Sequence, residues 1–118
     1  MEEKIVNSLK KYEIYGDIYN KKSINKLFNI DVIIEVGHNI FFIKIVSHIG
    51  IDIDKFNYTC NNIIKKINNC NIRYHKILFS LKHIKCNKSF FINVVSIQEL
   101  YNYISSNLGI FLGLILDV

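Results

Sequence analysis

Between Asn29 and Gly50 the chain reads NIDVIIEVGHNIFFIKIVSHIG. Ile, Val and Phe fill residues 30–36 and 40–47 almost without interruption. Runs this apolar predict strands covered on both faces, as at the centre of an α/β sheet. Gly37-His38-Asn39 between them supplies residues that tolerate the positive φ of a tight hairpin. Of the three charges that break the pattern, two stand out: Asp31 near the start of the first run and Lys44 inside the second, with Glu35 near the end of the first. From Asp52 to Asn68 the period changes to helical. Phe56, Cys60, Ile63, Ile64 and Ile67 form one stripe, Asp52 or Asp54 can cap the N-terminus, and Lys65 and Lys66 suit the C-terminal end of the dipole.

The remaining elements follow from the same periods. Ile5, Val6, Leu9 and Tyr12 share a face and predict a short helix over 3–12, and the alternation in EIYGDIY predicts a strand over 13–19. KKSINKLF fits either a loop or one helical turn. Strands are expected over 74–81 and 89–95, separated by the basic loop KHIKCNK. Ser96 and Glu99 form a capping-box pattern, with Ile97, Leu100, Tyr101 and Ile104 as the apolar face of a helix to about Ser105. A last strand is expected over 110–116. The order α-β-β-β-α-β-β(α)-β predicts one α/β domain over 1–118, a mixed central sheet flanked by helices.

Composition narrows the functional classes. The chain has 118 residues, half of them hydrophobic, enough for one core without disulfides. Ile, Asn, Lys, Tyr and Phe dominate, proline, tryptophan and alanine are absent, and Arg73 is the sole arginine. AT-rich codons produce this bias, so the abundance of Lys and Asn says little about function. The net charge of +5 suits an anionic partner such as DNA or RNA. A single arginine, however, limits bidentate reading of bases. Cys60, Cys70 and Cys86 form no CxxC pair. Cys60 falls on the helical apolar stripe as a small core hydrophobe. Cys70 and Cys86 with His75 or His83 match no common zinc spacing. This cysteine usage predicts a reducing, cytoplasmic setting. The charged, amphipathic N-terminus is unlike a signal peptide. The apolar run LGIFLGLILDV has eleven residues, where a membrane span needs about twenty. No membrane association is expected, and an uncovered final strand offers a route to a homodimer.

The two strand charges carry the candidate chemistry. A helix, a strand, a hairpin with Asp early and Lys late, and then a helix resemble the PD-(D/E)xK, or restriction-endonuclease-like, fold. In that family an Asp on one strand and an acidic-x-Lys triplet on the next converge at one sheet edge. The carboxylates hold Mg²⁺, which activates a water, and the lysine stabilises developing negative charge. The resemblance gives Asp31 the first carboxylate and Lys44 the lysine. It assigns the middle acid to residue 42, which here is Phe42. Glu2 or Glu3 would take the acid often found in the first helix. Glu35 shares the sheet face of Asp31 but lies about 13 Å along the strand. Mg²⁺ needs more than one protein anchor or the oxygens of its substrate.

The stretch IDVIIEVGHNIFFIKIVSHIGIDID resembles more closely the N-terminal domain of a family of archaeal helix-turn-helix transcriptional regulators. SFFINVVSIQELYNYI is similar to that family's strand followed by a Ser/Thr-x-x-Glu helix, and GIFLGLILDV to its Gly-rich final strand. Those regulators continue into a helix-turn-helix, whereas this sequence ends at Val118. The resemblance therefore implies the nuclease-like domain without its DNA-reading helix. With Phe42 in place of an acid, the expectation is a catalytically degenerate nuclease-fold module with no cofactor, serving nucleic-acid binding, transcription regulation or protein interaction. The alternatives are an active Mg²⁺-dependent endonuclease using Glu3 or Glu35, and a dimerisation module. Lys82, Lys85 and Lys88 form a candidate phosphate-contacting loop, with Lys65, Lys66, Arg73, His75 and Lys76 near in sequence. His48, after the second strand, suits a structural hydrogen bond. No P-loop, dinucleotide fingerprint or Ser-His-Asp order is present.

Overall fold

The computed structural model describes residues 4–5, 7, 17–20, 29–47, 51–82 and 86–108. Five strands and two helices follow in the order β1 (Asp17–Asn20), β2 (Val32–Val36), β3 (Asn39–Val46), α1 (Ile51–Ile67), β4 (Arg73–Ser80), β5 (Ile92–Val94) and α2 (Ile97–Leu108). Residues 4, 5 and 7 are also helical, within the expected first helix. The strands lie in one sheet in sequence order, β1-β2-β3-β4-β5. The first three form an antiparallel meander, and α1 then carries the chain over so that β4 runs parallel to β3, with β5 parallel to β4. The fold is thus α/β with a mixed sheet. The final strand expected over 110–116, and most of the residues expected to form elements over 3–12 and 13–19, lie outside the described residues.

The central strands β2, β3 and β4 bury side chains on both faces, which alternate along each strand. On β3, Phe41 and Ile43 join Ile5, Val32, Ile34, Ile77, Phe79, Leu100 and Ile104 in a core beneath α2. Ile40, Phe42 and Val46 join Ile33, Ile53, Phe56, Cys60, Leu78 and Phe91 in a second core beneath α1. This two-sided burial explains why the hairpin is almost uninterrupted Ile, Val and Phe. Among the described residues no helix is long and apolar enough to cross a membrane.

Local signals set the element ends. The β2–β3 turn is tighter than the three-residue connector read from sequence: Val36 pairs with Asn39, leaving Gly37 and His38 as the turn. Gly37 takes φ +58° at the first turn position, and His38 does not share it. This pattern favours glycine at the first position of a type II′ hairpin. A Cβ on Gly37 would meet nothing within 4 Å, so the cost of Gly37→Ala is conformational only. The substitution is expected to lower stability by about 1–2 kcal/mol, seen as a lower denaturant midpoint at unchanged slope. Helix α1 ends as Asn68 enters the left-handed region at φ 44° while its N–H still reaches the Ile64 carbonyl at 2.9 Å. At α2, the Glu99 N–H donates to Ser96 Oγ at 3.1 Å. Glu99 Oε2 in turn accepts from the Val95 N–H at 2.8 Å, one residue earlier than in the standard capping box.

Candidate functional site

The entry to β2 departs from a regular ladder. Val32 faces Ile43 in the register, yet the Asp31 N–H also donates to the Ile43 carbonyl, at 2.9 Å. Two successive residues of one strand therefore meet one residue of the other, which is the arrangement of a β-bulge. Asn29, two residues earlier, sits at φ 71° and helps turn the chain into this entry. Past the bulge the Ile45 N–H is met by a side chain: it donates to Asp31 Oδ2 at 2.6 Å. Lys44 Nζ lies 3.9 Å from the same oxygen. Asp31 is only 4 % exposed, so its carboxylate is held by a backbone donor and an ammonium away from bulk water.

The fold thus brings Asp31 and Lys44 together at the end of the sheet where β3 and β4 finish and α1 begins. Phe42, two residues before Lys44, does not leave room beside them for a polar group. It is fully buried, faces Ile33 across the hairpin and stacks on Tyr74 with centroids 6.4 Å apart and planes 7° from parallel. Glu35 is not gathered into the site: it is exposed, opposite Asp17 and Ile40. Glu2, Glu3, His48, His83 and Lys85 lie outside the described residues. Among the described residues no three His, Cys, Asp or Glu side chains come close enough to hold a metal ion. Cys70 sits in the loop before β4 and Cys86 beyond its far end, so the cysteines weighed as zinc ligands are spread along the sheet. Burial pushes the Cys60 thiol up to about 12, keeping it an unreactive core residue.

Among the described basic residues, Lys76 stands in the middle of β4 and several others lie toward the two ends of the sheet. Lys82 is exposed just beyond β4, where the Leu81 N–H bonds the Val46 carbonyl at 2.9 Å. It therefore shares the Asp31–Lys44 end. Lys88 is tied to Asp54 of α1 at 2.6 Å, so its charge is largely balanced. Lys65, Lys66 and Arg73 are at the opposite end, where the Arg73 N–H bonds the His38 carbonyl at 2.8 Å.

Comparison with known proteins adds no assignment. No family model, no curated protein and no solved structure matches this chain. Function has to be inferred from the geometry of the site itself.

Two clusters went unnoticed in the sequence. On the α2 face, His75 stacks on Phe41 with centroids 4.4 Å apart and planes 15° from parallel. Its Nε2 lies 3.0 Å from Asn39 Oδ1 and its Nδ1 2.9 Å from the Tyr103 hydroxyl. The amide oxygen can only accept, so Nε2 carries the proton and Tyr103 donates to Nδ1. Both ring nitrogens are engaged, which makes His75 a structural residue. Burial, with Arg73 nearby, lowers its pKa from 6.5 to about 4. Between these values the unfolded chain binds the extra proton and the folded one does not. The stabilisation is complete above about pH 6.5 and is lost progressively as pH falls to about 4. Denaturation midpoints across this window should show that slope, and His75→Gln should flatten it. The second cluster, on the α1 face, places Lys76 Nζ 2.6 Å from Asn57 Oδ1 and 2.7 Å from Asn61 Oδ1. Asn57 and Asn61 are one helical turn apart, the spacing that could have flagged them as a pair.

Proposed function

We propose that this chain is a nuclease-fold module that binds nucleic acid without cutting it. The observation that carries the reading is the state of the Asp31–Lys44 pair. The two residues that the restriction-endonuclease-like resemblance retains do meet at one sheet end, but Phe42 fills the position of the second acid and is sealed in the core. The described strand and helix order, with a hairpin followed by a helix and a parallel strand, supports the likeness to that fold. Among the described residues no third metal-ligating side chain gathers at Asp31, and a carboxylate already accepting a backbone N–H is a poor anchor for Mg²⁺, which requires near-octahedral oxygen ligation. The net charge of +5 and the exposed Lys82 beside the pair favour a polyanionic partner.

Calorimetry tests the metal half of this reading. Millimolar Mg²⁺ or Mn²⁺ should give no binding heat with the chain alone, and with nucleic acid present no heat beyond that of the nucleic acid by itself; affinity for DNA or RNA should need no metal, being at least as high in EDTA as in Mg²⁺. Stoichiometric metal binding lost in Asp31→Asn would instead point to an active endonuclease with a displaced acid.

A further inference from the structure

The α1 side of β4 carries a cation that no described carboxylate balances. Lys76 bridges β4 to α1 through the Oδ1 atoms of Asn57 and Asn61. These are neutral acceptors: they satisfy two of its three N–H groups and leave its charge in place. Burial lowers the Lys76 pKa, so the site holds this charge less comfortably than water does. Pairing with an anion would relieve that cost. Since each Oδ1 is turned to Lys76, each amide nitrogen is left as a donor, and no described residue accepts from either. Lys76 Nζ also lies 5.5 Å from the centre of the Phe90 ring, which is 49 % exposed. Phe91, at 4.5 Å from Phe90, anchors that ring to the core. The neighbouring Lys88–Asp54 ion pair adds no net charge.

We propose that Lys76, Asn57, Asn61 and Phe90 receive one nucleotide of a single-stranded nucleic acid, its phosphate on the ammonium and amide donors and its base on the exposed part of the Phe90 ring. An ammonium flanked by amide N–H groups is a phosphate receptor. An exposed aromatic ring beside it suits a base that is free to stack. Bases inside a duplex are already stacked on one another, so the site selects a single strand. This goes beyond the nuclease-fold reading, because the cluster involves neither Asp31 nor Lys44 and stands or falls without them.

The test is fluorescence anisotropy of the full chain with labelled single-stranded oligothymidylate and with a labelled duplex of equal length, at low salt. Asn61→Asp is the decisive variant. It keeps the oxygen that holds Lys76, so thermal stability should be unchanged or higher, but it places a negative charge where the phosphate would sit. Single-strand affinity should fall about tenfold. Phe90→Ala should weaken it by a similar factor, since stacking contributes about 1–3 kcal/mol per base. Lys66→Gln removes the same net charge from the last turn of α1, away from Lys76 and Phe90, and should change affinity less than about twofold. Three results overturn the proposal: no single-strand binding by the native chain, equal losses in Asn61→Asp and Lys66→Gln, or an unchanged affinity in Phe90→Ala. A chain that binds the duplex but not the single strand overturns this site alone and leaves the nuclease-fold reading standing.

Discussion

Phe42→Ala is expected to cost about 3–5 kcal/mol, a large part of the roughly 5–15 kcal/mol that holds a domain of this size folded. Phe42 is fully buried beneath α1 and packs with Phe56, Ile53, Leu78 and Cys60. Removing the ring leaves a cavity, because Phe42 stands on a central strand that pairs on both sides and cannot move toward α1 to fill it. Denaturant unfolding read by circular dichroism measures the loss. Phe42→Glu, which writes the acidic-x-Lys triplet back into the sequence, should be at least as damaging. It would place an unpaired carboxylate in an apolar core. A Phe42→Glu protein that folds as stably as the native chain would show that the position opens to solvent.

The second large effect concerns Asp31. Asp31→Ala removes the acceptor for the Ile45 N–H and the counter-charge of Lys44. A hydrogen bond to a charged group contributes about 1.5–3 kcal/mol, and here its loss orphans a backbone donor. The expected destabilisation is therefore about 2–3 kcal/mol. Asp31→Asn keeps an oxygen in the same place and should recover most of it. A catalytic carboxylate behaves oppositely: active-site acids are often retained at a cost to stability, and their removal stabilises the fold. If Asp31→Ala raised the unfolding midpoint, the bulge would not depend on the carboxylate as described.

The sequence revealed the parts of the fold that rest on periodicity. The double-sided apolar runs marked β2 and β3, and the stripe from Phe56 to Ile64 marked α1. S-x-x-E marked the start of α2, which continues to Leu108, past the expected end at Ser105. β5 is shorter than the apolar run that predicted it, because Ser89 and Phe90 form a turn. Hydrophobicity does not distinguish Phe90, half exposed, from Phe91, buried; the chain direction decides which ring turns inward. The bulge at Asp31 was hidden for a related reason, since one extra residue shifts the alternation without changing its composition.

At the candidate site, Asp31 and Lys44 stood out because a strand interior rarely holds charge, and Phe42 only through the resemblance to a family with an acid at that position. His75 with Asn39 and Tyr103, and Lys76 with Asn57 and Asn61, were not. Their partners lie on other elements, brought together only when β4 docks between β3 and β5 and against the helices. Asn and Lys abundance from codon bias hid them further. The described members of the expected basic cluster do not form one patch: β4 carries the chain from Arg73, near Lys65 and Lys66 at one end of the sheet, to Lys82 at the other.

The most direct test is an incubation of the full chain with single- and double-stranded DNA and RNA in Mg²⁺ or Mn²⁺, with binding and cleavage followed in the same samples. Binding, strongest to the single strands, with the nucleic acid left intact in every sample is the predicted result. Cleavage that requires the metal and disappears in the Asp31→Asn protein would contradict it.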